Sequence, residues 1–223
     1  MKRERKGEAL GPGASTRAVH AGAAEPAPGA PVVTPIVASA TFYTEVQPAG
    51  EVLYTRYGVN PNHEVLARKL AALEGAEAAI VVGSGMAALA LALLSFVGAG
   101  DHIVAARALY GGTIRLLTRE LPRLGIETTF VGEEGGWEAA LRPNTRALLL
   151  ELPSNPTLRI VDPRPLARLA RARGIPLLVD ATFATPINFR PLEHGADVVV
   201  HSGTKYLGGH SDVTAGVVAG PAA

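Results

Sequence analysis

Between residues 60 and 205, short runs of aliphatic and β-branched residues alternate with helical stretches, and most of these runs end in small or polar residues. The runs are Ala78 to Val82, His102 to Ala105, Gly125 to Val131, Arg146 to Leu150, Pro176 to Val179 and Val198 to Val200. Those richest in apolar residues read as strands buried on both faces. Strands alternating with helices demand an α/β domain, a mostly parallel sheet covered on both faces. Such folds place ligands outside the carboxyl ends of the strands. The residues just after each run are therefore where any chemistry should lie.

The helices between are also legible. Asn60 caps one with Pro61 at its first position; Leu66, Leu70 and Leu73 give its apolar face and Gly75 stops it. An apolar helix runs to about Phe96, another carries Ile114, Leu117 and Leu121, and a short one spans about Trp137 to Leu141. Asp162-Pro163 opens the last, with Leu166, Leu169 and Ala170 on one face and Gly174 closing it.

At the strand ends stand residues with chemistry. Val198 to Val200 leads into His201-Ser202-Gly203-Thr204-Lys205. A lysine just beyond a buried strand can be desolvated into a nucleophile, as imine chemistry with an aldehyde requires. It can equally be a solvated loop lysine. Ser202 and Thr204 offer hydroxyls to an anion, and Gly208-Gly209 lets backbone pass close to a ligand. Gly83-Ser84-Gly85-Met86 joins a strand to a helix start, a ready anion site. It also fits G-x-G-x-x-A, so a nicotinamide-dependent Rossmann enzyme is a rival reading. That fingerprint needs an acid near the end of the next strand, which instead ends in Ala106-Arg107.

Tyr110, beside Gly111 and Gly112, could lie flat over a ring or be a half-buried turn tyrosine. Asn155 sits in the proline-locked turn Glu151-Leu152-Pro153-Ser154-Asn155-Pro156, at the end of a strand. Asp180 also ends a strand; it is either a turn aspartate or a carboxylate that needs a partner to stay charged. Tyr54-Thr55-Arg56-Tyr57-Gly58 crowds aromatic and cationic groups, suited to gripping an anion or merely a surface loop.

Composition narrows the partners. Net charge is +1, which makes nucleic acid a poor expectation. There is no cysteine, and the six histidines lack ligand spacing, so no metal site is expected. The N-terminus is basic but leads into G-P-G, unlike a secretory signal, and no apolar stretch is long enough to span a bilayer. A cytoplasmic protein without membrane contact is expected. Residues 9 to 60, rich in Gly, Pro, Ala and Thr, read as an irregular arm.

S-G-T-K-Y-L-G-G-H-S-D (202–212), T-R-A-V-H-A-G (16–22), P-I-V-A-S-A-T-F (35–42), Y-T-R-Y-G (54–58), E-L-P-S-N-P (151–156) and D-A-T-F-A-T-P (180–186) together resemble the Cys/Met-metabolism family of pyridoxal-phosphate (PLP) enzymes. This trans-sulfuration family holds cystathionine γ-synthase, γ-lyase and β-lyase, methionine γ-lyase and the O-acyl-homoserine sulfhydrylases. The likeness covers about residues 15 to 220. It implies the large domain of fold-type I PLP enzymes over residues 61–223, after an arm over residues 1–60.

By that resemblance Lys205 carries the cofactor, Asp180 holds the pyridine nitrogen protonated and Tyr110 stacks on the ring. Asn155 and Thr182 are further cofactor contacts. Gly85, Met86, Ser202 and Thr204 hold the phosphate, joined by Tyr54 and Arg56 from the arm of a neighbouring subunit. The implied reaction is β- or γ-elimination, or replacement, on a sulfur amino acid or an activated homoserine, in a homo-oligomer. Two departures stand out. Ala181 replaces the family's usual asparagine beside the aspartate, and Gly112 stands where methionine γ-lyases usually carry cysteine. Family members also continue into a small C-terminal domain bearing the arginine for the substrate carboxylate, and no residue here takes that role. A PLP-binding or assembly subunit without turnover is the alternative expectation.

Overall fold

The computed structural model describes residues 12–46, 52–58, 60–132 and 135–222. The apolar runs form strands β1 (Ala78–Val82), β2 (His102–Ala106), β3 (Glu127–Val131), β4 (Thr145–Glu151), β5 (Leu177–Asp180) and β6 (Val198–Ser202), and β7 (Gly216–Gly220) follows the lysine. They make one sheet in the order β1-β7-β6-β5-β4-β2-β3. The central pairings are parallel, while β7 runs antiparallel to both β1 and β6. The described α-helices are α1 (Ala14–His20), α2 (Pro61–Glu74), α3 (Gly85–Leu94), α4 (Gly111–Arg115), α5 (Trp137–Ala140), α6 (Arg164–Arg173) and α7 (Thr185–Asn188), and a π-helical stretch, Leu116–Glu120, and short 3-10 turns accompany them.

Alternation along β6 shows how the helices divide. Successive residues of a strand face opposite sides of the sheet. His201 meets Glu74 of α2 through a hydrogen bond between fully buried side chains. Ser202 lies against the start of α3 instead, and its register partner Gly216 lies under Ser84 and Ala88. Helices α2 and α3 therefore cover opposite faces. Leu148, Leu149, Leu177, Leu178 and Val199 are wholly buried between the layers. Buried His102 is satisfied by the hydroxyls of Thr145 and Thr129, which makes it a core link between β2, β4 and β3.

Gly216 is where α3 comes closest to the sheet. A Cβ there would collide with the Ser84 carbonyl and come within 2.9 Å of Ala88 Cβ. Gly216→Ala is expected to cost about 1–3 kcal/mol of stability through overpacking, read as a lower urea midpoint at unchanged slope.

Three expectations need correction. The run Ala78 to Val82 is an edge strand, paired only with β7, and Ile80 is 53% exposed. The buried residues of α2 are Leu70, Ala71 and Glu74, while Leu66 points outward. The helix turns this side to the sheet, where Glu74 meets His201 of β6. Third, the arm is not irregular throughout. It contains α1, pinned to α2 by Arg17 to the Ala72 carbonyl and by Lys69 to the Val19 carbonyl. Asn62 then pairs with both backbone groups of Val37, and Asn60, as well as capping α2, donates to the Ser39 carbonyl. Between and beyond these anchors Val32, Val33, Ile36 and Tyr43 stand almost fully exposed.

The topology also removes the Rossmann alternative. A dinucleotide fold needs the strand before its glycine turn to pair in parallel with the next. Here β1 lies at the sheet edge, antiparallel to β7, and β2 pairs with β3 and β4.

Candidate active site

A cavity of ≈ 390 Å³ opens at the carboxyl ends of β4, β5 and β6. From the start of α3 come Gly85 and Met86; from the loops after β2 and β4, Tyr110 and Asn155; from β5 and its turn, Asp180 and Thr182; from β6 and beyond, Ser202, Thr204 and Lys205. All of these were expected from sequence. Tyr54 and Arg56 are not part of its lining. They lie on the arm, with the Arg56 guanidinium 4.9 Å from the Tyr54 ring centre and Tyr57 edge-on to that ring.

One end of the cavity is built for an anion. Ser84 caps α3 by accepting the Ala87 amide, and the first-turn amides of Gly85 and Met86 have no acceptor within the helix. A Cβ on Gly85 would come within 2.5 Å of Ser202 Cβ, so glycine lets the serine hydroxyl sit beside the helix start. Ser202 Oγ makes no hydrogen bond among the described residues, whereas the Thr204 hydroxyl is engaged with both backbone groups of Ala215. Of the two hydroxyls, Ser202 is the one open to a ligand.

The other end is built for a cation. Asp180 ends β5 with its remaining exposed area on the cavity. Thr182 donates its amide and its hydroxyl to Asp180 Oδ1, and the same hydroxyl accepts the Ser202 amide. The Thr182 hydroxyl is therefore spent on bracing the aspartate. It gives Asp180 a support that does not depend on the asparagine replaced by buried Ala181. Burial raises the Asp180 pKa, against the pull of the Thr182 hydrogen bonds and of His201. Oδ2 has no hydrogen-bond partner among the described residues. A deep carboxylate that is costly to ionise, with one oxygen facing a cavity, suits a protonated ring nitrogen. The residues present thus fit a phosphorylated pyridine ligand at both ends.

Tyr110 is half exposed and its ring covers Gly112, where a Cβ would come within 2.5 Å of it. Lys205 has two readings from sequence, desolvated or solvated. It borders the cavity but is an exposed residue on an open wall, so in this single chain it matches the solvated of its two readings. Sequence reasoning also missed Glu151, which lines the cavity. Its position at the end of β4 was the available signal, the same one that drew attention to Asp180.

Glu151 is pushed up to about 7, first by burial, with the Asp180 charge adding and the amides of Tyr110 and Asn155 opposing. A carboxyl raised in the folded state binds more protons there than in the unfolded chain between its ordinary value and about 7. Stability from this group is thus full at low pH and lost as pH rises to about 7, and Asp180 acts in the same direction. Urea unfolding of the cofactor-free chain should show that decline, and Glu151→Gln should remove about 2 kcal/mol of it.

A mostly parallel sheet covered on both faces, with a lysine, a carboxylate and a helix N-terminus converging at its strand ends, is the arrangement of a fold-type I PLP domain. A sequence profile of the Cys/Met metabolism PLP-dependent enzymes matches residues 15–222, and the chain belongs to that family. It is similar to the L-methionine gamma-lyase of Porphyromonas gingivalis, 45% identical over 99% of this chain and 57% of that protein. Among solved structures it is similar to metB from Corynebacterium glutamicum (TM-score 0.88, 39% identity, 95% of this chain and 56% of that one). Another is an O-acetylhomoserine (thiol)-lyase from Campylobacter jejuni that contains a pyridoxyl-lysine phosphate (TM-score 0.87, 30% identity, 94% and 54%). The chain spans about half the length of the curated relatives it matches. None of its described helices is long and apolar enough to cross a membrane, and no described cluster of acids and histidines could hold a metal.

Proposed function

We propose that the chain binds PLP through Lys205 and serves β- or γ-elimination, or replacement, on a sulfur amino acid or an activated homoserine. The observation that carries this is the meeting of Lys205, Asp180 and the α3 N-terminus at one cavity of suitable size. The names of the relatives, gamma-lyases and a sulfhydrylase, support the substrate class.

Bound PLP supplies an electron sink for the electrons released at the substrate Cα. The protein's residues do the rest. Lys205 Nζ would hold the aldehyde carbon, and its amine would move the proton at the substrate Cα. Asp180 Oδ2 holds the proton on the ring nitrogen, and Thr182 fixes the carboxylate that does so. Tyr110 and Asn155, which line the cavity beside Asp180, would flank the ring. The Gly85 and Met86 amides, with the Ser202 hydroxyl, would bind the phosphate, while Thr204, its hydroxyl held by Ala215, lines the cavity beside them. Tyr54 and Arg56 reach the phosphate of a second copy in a cytoplasmic homo-oligomer; the exposed apolar arm and their place outside their own chain's cavity support this.

The test is to incubate the chain with PLP, reduce with borohydride and map the adduct by mass spectrometry. The label is expected on Lys205, and its absence from folded protein would overturn the proposal. Release of a 2-oxo acid from methionine or cystathionine then separates an enzyme from a chain that binds cofactor without turnover.

A further inference from the structure

Glu151 is the buried acid at the cavity to which none of these roles is assigned. It ends β4 and is 7% exposed. Its two oxygens serve two different loops. Oε2 accepts the backbone amide of Tyr110 at 2.7 Å, and Oε1 accepts that of Asn155 at 2.8 Å. Tyr110 stands between β2 and α4, outside the strand ladder. Asn155 lies between Pro153 and Pro156, which have no amide to donate, and the Ser154 amide goes to the Arg159 carbonyl. One side chain therefore ties the loop after β2 and the turn after β4 to the same strand end.

We propose that Glu151 is a positioning residue whose single carboxylate holds Tyr110 and Asn155 together at the ring end of the cavity. This rests on the reading above that a cofactor ring lies there. Both partners are donors, so the strap needs two acceptor oxygens, and the ionised carboxylate supplies two strong, charge-assisted ones. A proton on either oxygen makes it a weaker, neutral acceptor and loosens that half. Asp180 from β5 is the charge that acts on Glu151; Lys205 beyond β6 lines the same cavity, and Arg107 after β2 and Arg159 after β4 line a smaller cavity that Glu151 also borders. With its carboxyl pushed up to about 7, the strap is strongest above neutrality and weaker below.

Glu151→Gln keeps the volume and one acceptor but presents N–H to the second amide at every pH. In the cofactor-free chain, amide hydrogen exchange at Tyr110 or Asn155 is expected to quicken about tenfold at pH 8 in this variant, and at both in Glu151→Ala. With PLP, Glu151→Gln is expected to raise Kd about tenfold at pH 8, and the gap from wild type should narrow at pH 6. Unchanged exchange at both amides, or an equal Kd with the same pH profile, would overturn the inference. If wild type is not labelled on Lys205, the proposed function fails, while the exchange measurement still decides whether the strap exists. If wild type is labelled and the variant matches it, only the strap is wrong.

Discussion

Lys205→Ala is expected to abolish borohydride-fixed PLP entirely while leaving the chain as stable as wild type, within about 0.5 kcal/mol. The expectation of unchanged stability comes from the surroundings of Lys205. The residue is exposed and its amine makes no hydrogen bond or ion pair among the described residues, so removing the side chain leaves no buried group without a partner. The total loss of label follows from the distribution of lysines. Lys69 is held on α2 by the Val19 carbonyl, away from the cavity, and Lys2 and Lys6 lie outside the described residues. Lys205 is the cavity's own amine. Peptide mapping after reduction reads the first half of the prediction and urea unfolding the second. A label persisting at another lysine with unchanged yield would remove Lys205 from its role, whatever the fold.

The strand ends were legible in sequence because a parallel sheet forces them to be. Buried strands cannot alternate, crossover helices return the chain to the same edge, and the polar residues left at that edge converge. Asp180, Asn155, Tyr110 and Lys205 were found this way. What escaped was set by partners distant in sequence. Ala78 to Val82 looks like a central strand because its residues are apolar, but its place at the edge is decided by antiparallel pairing with β7, over a hundred residues later. Helix α2 was read from its leucines, yet its buried side is chosen by the closeness of the sheet and by Glu74 meeting His201. Glu151 was quoted inside a motif and given no task, because its task lies in a backbone amide 41 residues earlier. Lys205 shows another limit: the strand run left both a desolvated and a solvated lysine open, and the loop that carries it decides for the second by opening outward.

Asp180→Asn should move stability and cofactor affinity in opposite directions. The carboxylate is raised in the folded state, chiefly by burial. Such a group contributes stability at low pH that is lost as pH rises through its folded pKa, so at neutrality and above it is a cost to the cofactor-free fold. Asparagine keeps an oxygen for the two Thr182 donors and carries no charge to desolvate. The cofactor-free variant should therefore unfold at a higher urea concentration than wild type at pH 8. Cofactor binding reverses the balance. A protonated ring nitrogen is the counter-ion this buried carboxylate otherwise lacks, and breaking a buried charge pair by removing one partner costs about 3–5 kcal/mol. PLP should accordingly be held on the order of 10²-fold or more weakly by the variant, measured by equilibrium dialysis. An ordinary turn aspartate predicts the reverse pattern: lower stability from weaker Thr182 hydrogen bonds, with cofactor affinity unmoved.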